Sequence, residues 1–540
     1  MIILIFLLPN RSNCVLLGKK CVRMPSDGSF TEGEMMVGAR PYRYNGEPIV
    51  SAKNVAFATA IHVSDRLLSR ILEFAGALIV ARVLAPEAFG VVMIGVSALS
   101  MARGLTEFPV ANALIQKRQV DQSDYATVFA LTNARGVLIA LSLVAVAGIL
   151  ADIYDEPSVV PIIYFLAIAP LADGFKSPMM AKYLREMNFV PLAIASLSGR
   201  VVGFITTVTV ILTTGSMWAL VLGIIVTPLI TLILTYILAP SKIDFSLAHG
   251  KEYFAFSSWM SLAGGILIAY ADGAKFIVGI FVSTAALGIY SVGYSLARTA
   301  IFALAGPTIQ TFFVGFSTIN DDPGRLRSSY LRAQSVLVTL FMPVGIGLVV
   351  ISEPLIALLL GTEWADAAFV IAWLAPGMAY FVSSAPAQAM AMAVNKTKSM
   401  FFRNLAVVII SLPLLLYGAA YHGLQGVVIA RLIGSLINTF AGFLLVHQLI
   451  GLPFLKQVVA GWRSMIAAAL MLIFHNAFIS GHINPEGQTW FMQSVFLISV
   501  IAVNAVFYLA ILVGLWFSTG RQAGPETTIF NLVMRRIRSH

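Results

Sequence analysis

The sequence predicts an all-α, polytopic membrane protein of about 14 transmembrane helices, arranged as two six-helix lobes related by a pseudo-twofold axis plus two C-terminal helices. Composition is the first reason. Of 540 residues, 59% are hydrophobic and only 11% charged, with a mean hydropathy of +0.88. That leaves too little polar surface to cover soluble domains. The second reason is that Lys and Arg fall almost entirely into alternate gaps between long apolar runs, and the third is a sequence motif that returns in mid-chain.

A span needs about 20 apolar residues, at about 1.5 Å rise each, to cross about 30 Å of hydrocarbon. In chain order the qualifying segments are 64–84, 88–110, 126–150, 158–177, 191–212, 217–238, 256–281, 284–306, 333–352, 366–393, 404–420, 424–446, 464–480 and 490–517. The predicted divisions are a flexible cytoplasmic N-terminal tail (1–63), an N-lobe (64–240), a C-lobe (241–450), two further spans (451–517) and a basic cytoplasmic tail (518–540). Met1–Leu8 is apolar but shorter than a crossing and lacks a basic flank, so it is not expected to be a signal peptide.

Charge sets the orientation. Lys117, Arg118, Lys182, Arg185, Lys242, Lys251, Arg325, Arg327, Arg332, Lys396, Lys398, Arg403, Lys456 and Arg463 occupy alternate loops, which the positive-inside rule places in the cytoplasm with both termini. The opposite loops hold Glu87, Asp152, Asp155, Glu156, Glu353, Glu363, Asp366 and Glu486 and no Lys or Arg. The net charge of +10 is therefore read as topology rather than as a nucleic-acid surface. Cys14 and Cys21 lie in the tail expected inside, where free thiols rather than a disulfide are the expectation. No outer loop is long enough for a domain, so function is expected within the membrane.

The turn after the first span reads Ala85-Pro86-Glu87-Ala88-Phe89-Gly90, and the seventh-to-eighth connection reads Ser283-Thr284-Ala285-Ala286-Leu287-Gly288. A second echo pairs Leu166-Ala167-Ile168-Ala169-Pro170 with Trp373-Leu374-Ala375-Pro376. Because six spans are an even number, two such halves share one orientation and an axis along the membrane normal.

Through Ala81-Arg82-Val83-Leu84-Ala85-Pro86-Glu87-Ala88-Phe89-Gly90, Ala113-Leu114-Ile115-Gln116, Trp218-Ala219-Leu220-Val221 and Asp272 with Leu287-Gly288-Ile289-Tyr290, the chain resembles the Wzx-like or ExoT-like polysaccharide flippases of the multidrug/oligosaccharidyl-lipid/polysaccharide exporter superfamily. The resemblance covers about 60–450, and Leu84-Ala85-Pro86 departs from the family's Leu-Gly-Pro. It implies a V-shaped pair of lobes around a cavity, in the bacterial inner membrane. Its cargo would be an undecaprenyl-diphosphate-linked oligosaccharide, moved from the cytoplasmic to the periplasmic leaflet by alternating access. The implied partners are this lipid-linked cargo, membrane lipids and polysaccharide polymerase or export machinery. Neither enzyme activity nor a cofactor is implied.

Charges inside the predicted spans are the candidate site. Arg70, Arg82, Arg103, Arg135, Arg200, Lys275, Arg298 and Arg431 are its cations, and guanidinium suits a diphosphate because its planar fork donates two parallel hydrogen bonds. Arg70 with Glu73, Arg103 with Glu107 and Asp272 with Lys275 are spaced to neutralise each other on one helix face. Arg82 and Arg135 lie nearer span ends, where snorkelling explains them. Arg200, Arg298 and Arg431 sit two turns or more from a span end without an acid at helical spacing. A lone charge at that depth costs about 2.5–3.5 kcal/mol or more, so each is expected to face a cavity or an acid on another helix. The expected lumen cations are thus Arg298, Arg431, Arg200, Arg70 and Arg103. Asp272, Glu73 and Glu107 are the candidates for ion coupling, with charge balance as the alternative.

Most tryptophans fall near span ends and read as interface anchors; Tyr270, Tyr290 and Tyr294 are the candidates for sugar contact. No Cys/His/Asp spacing suggests a metal, and Asp321-Asp322 before Pro323-Gly324 reads as a turn. Three rival readings stay open: a lipid-linked peptidoglycan precursor exporter, a multidrug exporter, and a membrane-embedded polymerase or ligase. The cation excess in the spans weighs against the second, and the lack of a sizeable loop against the third.

Overall fold

The computed structural model describes residues 52–106, 120–479 (without 187, 242–243, 249, 318, 320–321 and 395) and 490–520, with four short pieces of the N-terminal tail. Those pieces pair as β1 (Cys14–Leu17) with β2 (Lys20–Arg23) and β3 (Arg43–Tyr44) with β4 (Glu47–Pro48), both antiparallel, in a segment expected to carry no regular structure. Among the described residues, every other element is helical. Glu107 lies outside the described residues, so its expected pairing with Arg103 does too.

The first lobe is built from α1 (Ala52–Val83), α2 (Pro86–Leu105), α3 (Gln122–Tyr154), α4 (Val159–Leu166), α5 (Ile168–Gly174), α6 (Met180–Arg185), α7 (Val190–Thr214) and α8 (Trp218–Leu238). Pro86 at the first position of α2 needs no hydrogen-bond acceptor there, and Asp121 and Asp124 close a capping box on α3. The span expected at 158–177 is broken at Ala167, between α4 and α5. Pro170 has no N–H to give the Leu166 carbonyl, so one helical bond is missing at this break.

The second lobe holds α9 (Gly250–Phe281), α10 (Thr284–Ser317), α11 (Pro323–Leu359), α12 (Ala365–Val382), α13 (Ala385–Ala393) and α14 (Thr397–Ile450). Asp322 caps α11 by accepting from the Gly324 and Arg325 amides, which makes it a helix start rather than a bare turn; Asp321, the other half of the expected turn, lies outside the described residues. The span expected at 366–393 divides into α12 and α13. The 54-residue α14 is two crossings joined at Gly423, whose φ of 56° and ψ of −141° suit only glycine. After it come α15 (Phe454–Val458), α16 (Trp462–Phe478) and α17 (Trp490–Ser518). By length and composition, eight helical stretches qualify as membrane spans among the described residues.

Burial is distributed as a membrane requires. Val80, Val92, Ile94, Ile162, Ile163, Leu287, Val370 and Ile371 form part of one continuous core, while Leu138, Leu141, Ile149, Ile409, Ile498 and Val506 are exposed on helix faces suited to lipid. The last two spans dock on the second lobe through α11: Tyr508 Oη donates to the Thr339 carbonyl at 2.9 Å, and the Thr339 and Ser464 hydroxyls lie 2.7 Å apart.

In the first lobe α7 and α8 form a close hairpin because small residues recur every fourth position on both. A Cβ on Gly203 would overlap Thr227 Oγ1 and lie 2.9 Å from the Gly223 carbonyl; one on Gly199 would overlap Thr231 Oγ1. This is the small-residue packing that apolar helices need where lipid supplies no hydrophobic drive. Gly203→Leu is expected to lower stability by about 1–3 kcal/mol through overpacking. Thermal unfolding of the purified protein checks this, with Gly148→Leu, which meets nothing within 4 Å, as the unaffected control.

The two copies of the repeated motif touch each other. A Cβ on Gly90 would overlap the Thr284 carbonyl and lie 3.2 Å from Gly288 N, and a Cβ on Gly288 would overlap the Pro86 carbonyl and lie 3.2 Å from Gly90 N. Here the start of α2 crosses the start of α10, backbone against backbone. Around this crossing the lobes are tied by Phe89 edge-on to Trp364 (5.6 Å between centroids), by Tyr154 Oη donating to the Phe276 carbonyl at 3.0 Å, and by Arg82 lying over Gly361. At its far end α2 packs on α9, with Gly104 against Ile268. The ties beside the crossing lie at the end of the bundle that carries the acidic loops.

Candidate functional site

Charged side chains gather in two places, one in each lobe. In the first lobe α1, α2, α5, α7 and α8 line an open-sided chamber of about 540 Å³ whose lining includes Glu73, Arg103, Asp173, Lys176, Ser196 and Arg200. Asp173 accepts from Arg103 Nη2 at 2.8 Å and from Lys176 Nζ at 2.6 Å. Glu73 pairs with Arg200 across the gap between α1 and α7, and with Arg70 at 3.5 Å on its own helix. Alongside, Ser196 Oγ donates to Asp65 Oδ1 at 2.7 Å. The four side chains of the Arg103–Asp173 and Arg200–Glu73 pairs are 34–48% exposed, so they line accessible space.

Arg200 therefore meets the second of its two expectations, an acid on another helix, and at the same time lines a cavity. Arg103 has an acid partner as well, Asp173 seventy residues away, a pairing that helical spacing had no means of revealing. Arg70 pairs with Glu73 as expected but lies 64% exposed and is not among the chamber's lining residues. Arg135 donates through Nη2 to the Arg103 carbonyl at 2.9 Å and through Nε to Thr106 Oγ1 at 3.4 Å. It thus holds the C-terminal end of α2, where a cation suits the helix dipole.

The second lobe handles its cations differently. The Arg431 guanidinium lies over the Tyr270 ring at 4.7 Å and the Tyr294 ring at 5.7 Å, and Tyr290 stacks behind Tyr294 at 5.8 Å. Among the described residues no carboxylate pairs with it; the titratable groups acting on it are those three tyrosines. Ring faces attract a cation without neutralising it, and the Tyr270 and Tyr290 hydroxyls act on the guanidinium as hydrogen-bond partners, so its charge is held with no carboxylate among the described residues. Nearby, Lys275 Nζ donates to Asp272 Oδ1 at 2.8 Å with both side chains 13% exposed, the pair the spacing predicted.

Arg298 is exposed on α10, one turn beyond Tyr294 and two beyond Tyr290, on one face of the helix. The face 290–294–298 thus leads from the buried aromatic box to an accessible guanidinium. Tyr290 is itself fully buried, which removes it from direct sugar contact; Tyr270 and Tyr294 are partly exposed. Arg403, expected in a cytoplasmic loop, instead folds against the second lobe, donating to Asn404 Oδ1 at 2.9 Å and to the Asn438 carbonyl. Sequence reasoning also missed Lys176 and the threonines of α8 as part of the first-lobe chamber. Asp173 with Lys176 at a three-residue spacing was the available signal.

Comparisons with known proteins agree with this architecture. A family model described as "Polysaccharide biosynthesis protein" matches residues 79–369, more than half of the chain. Among curated relatives, the lipopolysaccharide biosynthesis protein WzxC of Escherichia coli K12 is 23% identical over 425 residues, 77% of this chain and 84% of that protein. The succinoglycan biosynthesis transport protein ExoT of Rhizobium meliloti is 22% identical over 468 residues, 86% of this chain and 94% of that protein. Among solved structures, the lipid II flippase MurJ in an inward closed conformation superimposes with a TM-score of 0.67 at 12% identity, over 87% of this chain and all of that one. An inward-facing multidrug resistance transporter of the MATE family gives 0.54 at 14% identity, over 73% of this chain and 98% of that one. These two likenesses concern the fold: two helical lobes in a polytopic membrane transporter. With its family model, its full-length relatives and its two-lobed helical body in agreement, this multi-pass membrane chain belongs to the polysaccharide biosynthesis protein family, as a polysaccharide flippase of the multidrug/oligosaccharidyl-lipid/polysaccharide exporter superfamily.

Proposed function

We propose that the cargo is an undecaprenyl-diphosphate-linked oligosaccharide, a repeat unit of an exported polysaccharide, carried from the cytoplasmic to the periplasmic leaflet of the bacterial inner membrane. The observation that supports this reading best is Arg431, a guanidinium held on tyrosine faces with no carboxylate paired to it among the described residues. A charge in that setting is costly unless an anion arrives to meet it. A diphosphate supplies that anion, and its hydrated charge needs such a host while the polyprenyl tail stays in lipid. Exposed Arg298 receives the headgroup and Arg431 holds it deeper in the second lobe.

In this reading both termini face the cytoplasm, residues 64–240 and 241–450 are the moving lobes, and transport is an alternation between openings on the two sides. The seam at Gly90 and Gly288 closes the periplasmic side. Asp272, tied to Lys275 beside the aromatic box, is the proposed coupling group, because a partner cation that can leave gives a carboxylate two states. The names of the relatives, one in lipopolysaccharide and one in succinoglycan biosynthesis, agree with a polysaccharide cargo. Arg298→Ala is expected to abolish polymer export while membrane insertion and protein level stay normal, read by polymer in the medium and immunoblots of membranes. Normal export by that variant removes Arg298 from the site.

A further inference from the structure

We infer that the elbow joining α14 to α16, residues 451–463, is a docking surface for anionic phospholipid headgroups in the leaflet that meets the basic loops. The inference needs a membrane location only; neither the cargo nor the transport cycle enters it.

The inner side of the elbow is fixed to the second lobe by buried polar bonds. Gln457, fully buried, donates through Nε2 to the Phe443 carbonyl at 3.0 Å and to the Leu452 carbonyl at 3.3 Å. Its own carbonyl accepts from Gln334 Nε2 of α11 at 2.8 Å. Arg327 Nε donates to the Ile450 carbonyl at 2.5 Å, at the negative end of the α14 dipole. Gly461, at φ 79°, turns the chain against Val338, 2.8 Å from where a Cβ would stand. These bonds set how the five-residue α15 is rolled. A helix turns about 100° per residue, so with Gln457 facing inward, Leu455 and Val459, each two residues away, face outward.

That outward side is apolar with a basic edge. Leu455 is 71% exposed, and Lys456, Val459 and Trp462 are exposed with it, the composition of an element lying in a membrane interface. Trp462 runs on into Ile466, Leu470 and Ile473, all exposed at helical spacing along α16. The elbow thus extends a face suited to acyl chains up to the level where the span begins, which is headgroup level. The Arg463 guanidinium lies over the Trp462 ring at 5.8 Å and holds the indole there. Arg327 Nη2 lies beside Gly451, and among the described residues neither it nor Lys456 Nζ meets a carboxylate. Two cations at the rim of an acyl-facing side complement a negatively charged headgroup. A soluble anion would leave Leu455 and Val459 in water, and a protein partner would leave their continuity with the lipid face of α16 unexplained.

The test uses the full-length chain in nanodiscs, with a fluorophore on Ile466→Cys in a Cys14→Ser, Cys21→Ser background. Quenching by acyl-brominated phosphatidylglycerol and by acyl-brominated phosphatidylcholine gives the relative affinity of the two lipids at this one place. Phosphatidylglycerol is expected to be preferred by about fivefold or more, the worth of one basic residue at a membrane surface. Lys456→Gln should bring the preference down by about fivefold, and Lys456→Arg should keep it. Lys182→Gln, which removes an exposed cation on α6 of the first lobe, should leave it unchanged. Unfolding midpoints confirm that each variant is folded. Equal quenching by the two lipids, an undiminished preference in Lys456→Gln, or an equal loss in Lys182→Gln overturns the inference, the last because charge would then act without a site. None of these readouts involves polymer export, so the elbow and the flippase reading can fail separately.

Discussion

Gly90→Leu and Gly288→Leu are each expected to abolish transport, the largest loss anticipated from any single substitution in this protein. At this crossing two helix starts meet with no side chain between them, and a Cβ on either glycine overlaps a carbonyl oxygen of the other helix. Backbone cannot rotate away as a flexible side chain does, so the helices must move apart, at about 1–3 kcal/mol or more. The neighbouring ties, Phe89 on Trp364 and Tyr154 on the Phe276 carbonyl, depend on the same approach and would loosen with it. In a transporter that alternates, a seam that cannot close leaves the cavity open on one side, so export should fall to background even where the protein still inserts. Export assays paired with thermal unfolding read both consequences, with Gly148→Leu on α3 as the control. Wild-type export by Gly90→Leu would move the closing contact elsewhere.

Arg431→Met should act in opposite directions on stability and on function. The guanidinium lies among Tyr270, Tyr290 and Tyr294 without an ion pair among the described residues, so methionine, flexible, uncharged and shorter, removes a desolvation cost while its thioether can still pack on the rings. On insertion scales a central arginine costs about 2.5–3.5 kcal/mol, part of which the ring faces return. The variant is therefore expected to unfold at a temperature a few degrees higher and to export no polymer. Arg431→Lys keeps the charge but loses the planar fork, and should fall between the two. A variant that is both less stable and still active would show that Arg431 is structural glue rather than a headgroup site.

The same contrast explains which residues were legible beforehand. Asp272 with Lys275 and Arg70 with Glu73 were readable because three residues of helix bring two side chains onto one face, whatever the fold. Arg103 with Asp173 and Arg200 with Glu73 were not, because seventy and 127 residues of chain separate the partners and only helix packing joins them. Sequence spacing marked Arg431 as lacking an acid on its own helix face, but the tyrosines that hold it come from α9 and α10. Tyr290 shows the reverse error: as an aromatic inside a span it was a candidate for sugar contact, yet it is completely buried, stacked on Tyr294.

The helical spans follow from the chain alone, because hydrocarbon enforces internal hydrogen bonding and penalises charge residue by residue. The existence of two related halves was visible too, in the Pro86–Gly90 and Thr284–Gly288 motifs. That those motifs press against each other, that Pro170 breaks a span, and that one lobe pairs its arginines with acids while the other rests one on tyrosine rings were decided only in three dimensions. Such features are contacts between elements far apart in sequence, and their energies depend on distances that no local pattern specifies.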